Sequence, residues 1–268
     1  MDIKDIDVPL PRMIYRYFHP ASAGFLRVLR VRFANPATFN DPFEGSPRFD
    51  LFAERRAKEA IEACMILNAK LGLPLPESRM FLEDYKNKML PGRVKDHSER
   101  FRKEYGEKFR VLCFSENIGS PLMWGHYSSS QTGFALGFDT AHQFFRGRLA
   151  KVHYDPVRPD VGDPLIGMPI PLIKNHEWSY EQEWRIVQPV KSPEPYYELL
   201  PAPCIKAIYF ALRIHSTTRL ELESALRLPN LAHIEKFEMD VHQSDYRLLP
   251  IPARRYELND EAWNADGI

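Results

Sequence analysis

Tyr180-Glu181-Gln182-Glu183-Trp184-Arg185-Ile186-Val187-Gln188 sets charged and apolar residues at alternate positions. Strand side chains point alternately to two faces, so an extended 181–187 puts Glu181, Glu183 and Arg185 together and Gln182, Trp184 and Ile186 opposite them. This predicts a strand over Glu183 to Gln188. Two carboxylates then stand side by side, an arrangement that raises at least one pKa and suits acid–base work or the holding of a cationic centre. Spacing alone equally describes a solvated strand face on which Arg185 neutralises its neighbours.

The same reading predicts strands upstream at Ile14 to Phe18, Val28 to Phe33, Val111 to Ser115, Phe134 to Phe138 and Ala150 to Tyr154. Downstream it predicts Ala207 to Phe210 and a strand near His233 to Phe237, with a helix from Thr217 to Leu226 between them. Pro20 to Leu26 reads as a turn or short helix. Ser120-Pro121 supplies an N-cap and an N1 proline for a helix through Tyr127. Thr140 to Phe145 reads as a helical turn or two, with Gln143 completing a capping box on Thr140. Between Leu51 and Phe109 the apolar spacing turns helical, and Pro74, Pro76 and Gly92 divide it into two or three helices. Strands outnumber helices outside this stretch. The expectation is a single α+β domain over 1–268 with a mixed or split antiparallel β core and a helical layer inserted at 51–109.

Composition narrows the function classes. Lys plus Arg and Asp plus Glu both number 36, so no overall basic field draws in nucleic acid or a membrane surface. The longest apolar runs are too short to span a bilayer, and Met1-Asp2-Ile3-Lys4-Asp5 lacks a signal-peptide layout, so a cytoplasmic protein is expected. Cys64, Cys113 and Cys204 are widely spaced among apolar neighbours, which suits reduced structural thiols. Neither H-E-x-x-H nor C-x-x-C occurs, and no structural metal is expected. A P-loop, a G-x-G-x-x-G and a G-x-S-x-G elbow are also lacking.

Two other clusters carry reactive side chains. Phe39-Asn40-Asp41-Pro42-Phe43-Glu44 gathers an amide, two carboxylates and two aromatics around one proline, either as a working loop or as an Asx-type turn anchored by its phenylalanines. Leu122-Met123-Trp124-Gly125-His126-Tyr127 puts a histidine and a tyrosine near a helix end, with Trp124 read as core.

Taken in order, Ile14-Tyr15-Arg16-Tyr17, Phe39 to Glu44, Cys113-Phe114-Ser115-Glu116, Met123 to Tyr127, Gly133 and Trp178 to Arg185 resemble a bacterial family known as domain of unknown function 2971. A more distant resemblance is to the ADP-ribosyltransferase superfamily, in which an arginine, a serine and a final glutamate follow one another on a split β core. Arg16, Ser115 and Glu183 occur in that order, and Glu181-Gln182-Glu183 is similar to the E-x-E element. The resemblance implies an NAD-consuming transferase or glycohydrolase, similar to toxins and phage-defence effectors, acting on a nucleotide with nucleic acid or protein as acceptor. It implies that Glu183 is the catalytic carboxylate, with Glu181 beside it in the E-x-E element; His126, from its place near a helix end, is a further catalytic candidate. Arg16 would contact phosphate, Ser115 would position ribose, and Trp124 or Tyr127 would stack on nicotinamide, with Tyr17, Asn40, Asp41, Glu44 and Arg185 as further binding residues. Two alternatives stand beside it. One is a metal-dependent phosphodiesterase or nuclease using Asp41, Glu44, His126 and Glu183. The other is a non-enzymatic binding or regulatory domain in which these charges are buried ion pairs.

Overall fold

The computed structural model describes residues 8–48, 55, 58–59, 62, 66, 90–160, 170–190 and 196–253. The chain is α+β, with a mixed, mostly antiparallel main sheet of eight strands. Its residues fall into two compact units, each assembled from separated segments: 1–14, 28–117 and 139–204 in the first, 15–27, 118–138 and 205–268 in the second.

In the first unit β3 (Phe109–Ser115) pairs antiparallel with β8 (Glu183–Pro189), in a register that sets Cys113 opposite Arg185 and Ser115 opposite Glu183. Short β5 (Leu149–Lys151) pairs with the other edge of β8. Val111, Leu112, Phe114, Trp184 and Ile186 are buried, so both faces of this pair are covered. Two small ribbons complete the unit. Antiparallel β2 (Arg30–Phe33) and β9 (Tyr196–Leu199) form one; parallel β6 (His153–Asp155) and β7 (Ile173–Asn175) form the other. In β2 Val31 and Phe33 are buried while Arg30 and Arg32 are exposed, the alternation the sequence predicts. Helix α2 (Leu90–Lys108) leads straight into β3.

In the second unit the strand order is β12 (Leu248–Pro252), β11 (Glu235–Val241), β10 (Ile205–Phe210), β4 (Phe134–Asp139) and β1 (Met13–Phe18). Only the β10–β11 pair among these with a defined register is parallel. Helix α4 (Ser216–Ala225) connects those two, and Arg219 on it reaches Glu238 on β11 while covering the Phe210 ring at 4.7 Å. Phe18 and Phe134 stack at 4.9 Å. Gly133 is required here, because a Cβ on it would lie 2.0 Å from the Phe18 carbonyl oxygen. Helix α3 (Pro121–Tyr127) begins as expected, with the Ser120 hydroxyl accepting from the Met123 amide. Three consecutive non-glycine residues after it, Ser129, Ser130 and Gln131, take left-handed conformations.

Several local expectations are corrected. Val28 to Phe33 is not one strand: α1 (Phe25–Val28) comes first, and β2 starts only after Leu29 turns left-handed. Ala150 to Tyr154 breaks at Val152 into β5 and β6. Thr140 does not cap a helix. Its hydroxyl donates to the Pro11 carbonyl at 2.6 Å, Asp139 caps Ala141 instead, and the segment folds as turns. The last strand expected near His233 begins at Glu235, and β7, β9 and β12 were not foreseen. Gly92 lies inside the first turn of α2 and divides nothing. Pro74, Pro76 and Cys64 lie outside the described residues, as does most of the inserted stretch.

Candidate functional site

The site is a set of charged side chains enclosed in the first unit. Arg185, with 0% of its surface exposed, sits on β8 between two carboxylates. Its Nη1 and Nη2 donate to Glu44 at 2.6 and 3.1 Å, its Nε and Nη2 donate to Glu183 at 2.9 Å each, and Nη1 also meets the Pro171 carbonyl at 2.7 Å. Both carboxylates are held as forks, the geometry in which a guanidinium binds most strongly. The Phe39 ring lies 5.6 Å from the same guanidinium. The second cation is Lys174 on β7, 7% exposed, whose ammonium donates to Glu183 at 3.2 Å and to Glu181. Tyr154 on β6 adds a hydroxyl that accepts the backbone N–H of Glu183 at 2.7 Å.

The expected alternation of Glu181 with Glu183 and Arg185 is overturned. Glu181 ends a 3-10 segment (His176–Glu181), Gln182 is left-handed at φ 45°, and the strand begins only at Glu183. The two glutamates meet all the same, because both reach Lys174. Ser115 maintains this turn: its hydroxyl donates to the Glu181 carbonyl at 2.5 Å and accepts from the Asn117 amide at 3.0 Å.

Three buried carboxylates face two cations in this cluster, and the protonation states follow from it. Burial pushes Glu183 upward, but Arg185 and then Lys174 outweigh it and hold the carboxyl at about 2. Burial works to lower Lys174, and Glu183 and Glu181 overcome it, so the lysine is raised and charged. The Cys113 thiol is pushed well above its ordinary value by burial and then by Glu183. A thiol so placed stays protonated and is a poor nucleophile.

The other expected residues divide between the units. Asp41 is buried, with Oδ1 accepting from the Phe43 amide at 2.8 Å, so the loop contains the Asx-type turn read from sequence. Asn40 beside it is exposed, and Glu44 closes the loop onto Arg185. Arg16, Tyr17, Trp124, His126 and Tyr127 belong to the second unit. Arg16 lies 5.8 Å over the Phe18 ring. Tyr17 and Trp124 are buried edge to face at 5.0 Å, and the indole N–H donates to the Ile118 carbonyl, so Trp124 is a core residue. His126 is exposed and Tyr127 partly so. Among the described residues no group of three His, Cys, Asp or Glu side chains is placed to hold a metal ion, and no helix is long and apolar enough to cross a membrane.

Lys174 and Tyr154 escaped the sequence reading. The one available signal for Lys174 was a lone cation after the apolar run Ile170-Pro171-Leu172-Ile173. Lys174 also lines a cavity of about 220 Å³, together with Phe43, Ser46, Pro47, Asp155, Arg158 and Asn175.

Compared with protein-family models, curated proteins and solved structures, the chain matches none. The resemblances set out above therefore rest on the ordered sequence blocks alone.

Proposed function

We propose that the first unit is a ligand-binding or regulatory unit in which the charge cluster is the frame. The observation that carries this reading is the ribbon of β6 and β7, which joins the charge cluster to a cavity. Alternation turns Tyr154 and Lys174 to one face, where they meet Glu183 and Glu181. Asp155 and Asn175, the next residue along each strand, line the cavity together with Ile173 and Lys174. The ribbon is thus fixed by the charge cluster and presents an ordered wall to the cavity, which lowers the ordering cost of binding. Removing one partner from a buried ion cluster costs about 3–5 kcal/mol, so Glu183→Gln should lower the urea midpoint markedly. Equal stability of variant and wild type would overturn the reading.

A second reading, an NAD-consuming transferase or glycohydrolase, is favoured by one observation. Ser115 and Glu183 are register partners on adjacent strands, and Glu181 joins Glu183 on one lysine, a serine beside an E-x-E pair. It is tested by nicotinamide release from NAD. Turnover that is abolished by Glu183→Gln while the fold survives supports it; no release, or equal release by both proteins, sinks it.

A further inference from the structure

We infer that the cavity in front of the β6–β7 ribbon is a site for a 6-aminopurine base, the adenine of a nucleoside or nucleotide. This rests on the ligand-binding reading and names the ligand class.

The cavity size sets the first limit. At about 220 Å³ it exceeds the roughly 150 Å³ that admits a benzene ring, and so accepts one fused ring pair while a dinucleotide must leave its remainder outside. The walls suit a flat ring. Phe43, Pro47, Pro156, Pro159 and Ile173 contribute apolar surface. Arg158 is held as a rigid plane, because its guanidinium donates to the Ser46 carbonyl at 2.9 and 2.6 Å and to the Pro47 carbonyl at 3.2 Å, and lies 5.3 Å over Phe43.

The polar edge sets the second limit. Asp155 and Asn175 are direct partners in the parallel register of β6 and β7, so their side chains stand next to each other. Each spends one oxygen on a local turn: Asp155 Oδ1 accepts from the Val157 amide at 2.7 Å, and Asn175 Oδ1 accepts from the Glu177 amide at 3.2 Å. Asp155 keeps Oδ2 as an acceptor, with His153 no nearer than 3.9 Å, and Asn175 keeps its amide N–H groups as donors. An acceptor beside a donor complements the edge of adenine, whose exocyclic amino group donates while N1 accepts. Hypoxanthine presents the same shape with both roles reversed: O6 accepts and N1–H donates.

The same geometry supplies the test. Exchanging the pair as Asp155→Asn with Asn175→Asp reverses the edge and preserves both turns, since Asn and Asp each carry the required Oδ1. Calorimetric titration of the full chain with adenosine and inosine should show adenosine binding at least about ten-fold tighter to wild type, the discrimination expected of one good bidentate contact. The exchanged protein should prefer inosine. Failure of both nucleosides to bind, equal binding, an order unchanged by the exchange, or tighter binding of nicotinamide than of adenosine would each overturn the assignment. If nucleosides fail while Glu183→Gln still destabilises the chain, the ligand class falls and the framing role of the cluster stands. If Glu183→Gln leaves stability unchanged while the preference inverts, the frame falls and the purine site stands.

Discussion

Gly133 shows how little freedom one position can have. The atom a methyl group would strike is the backbone carbonyl of Phe18, which cannot rotate aside as a side chain could. We expect Gly133→Ala to cost about 2–3 kcal/mol or more, read from urea unfolding, since overpacking against a fixed neighbour costs in that range. A smaller change than about 0.5 kcal/mol, the scale of a neutral surface substitution, would mean that the Phe18 carbonyl gives way. Residue chemistry was partly legible in the sequence. Glu181, Glu183 and Arg185 were read as one group, and they are one. Lys174 was not, because the lysine on β7 and Glu183 on β8 are brought together by packing and not by the periodicity of one strand. Ser115 has a structural partner that the sequence does not announce: its hydroxyl closes the turn that delivers Glu181.

At the scale of elements, strands with clean alternation were readable and junctions were not. β2 shows the first case, with buried Val31 and Phe33 between exposed arginines. Gln182 shows the second. A left-handed glutamine carries no mark in composition, yet it turns Glu181 out of the strand and invalidates the alternation argument for that residue. Thr140 failed for a related reason. A capping box is a local pattern, but the Thr140 hydroxyl found a partner far away in the chain at Pro11. β9 was hidden because its sequence, Tyr196-Tyr197-Glu198-Leu199, lacks a buried stripe and leaves Leu199 exposed. Its place is set by pairing with β2 and by Arg148, which grips Glu198 at 2.9 and 2.7 Å.

For the molecule as a whole, the buried cluster ties folding to pH. Glu183 has a depressed carboxyl pKa, so the stability it contributes is fully present above the ordinary carboxylate range and disappears as the pH falls through about 2. The urea midpoint of the wild type should therefore decline between roughly pH 5 and pH 2, and that of Glu183→Gln should decline less over the same interval. Parallel curves for the two proteins would show that the carboxylate is not the group being titrated. The α+β class followed from counting strands against helices. The division into two units did not, since it depends on which distant segments pack together: residues 15–27, 118–138 and 205–268 join one body while the stretches between them join the other.

The β6–β7 ribbon also bears on how such a protein can diverge. Positions 154 and 174 are tied to the ionic frame, so most replacements there would be removed by selection for a folded chain. Positions 155 and 175 need only keep an oxygen for their turns. Related chains would then be free to drift at one set of positions and not at its neighbours, acquiring new ligand preferences without first having to become more stable.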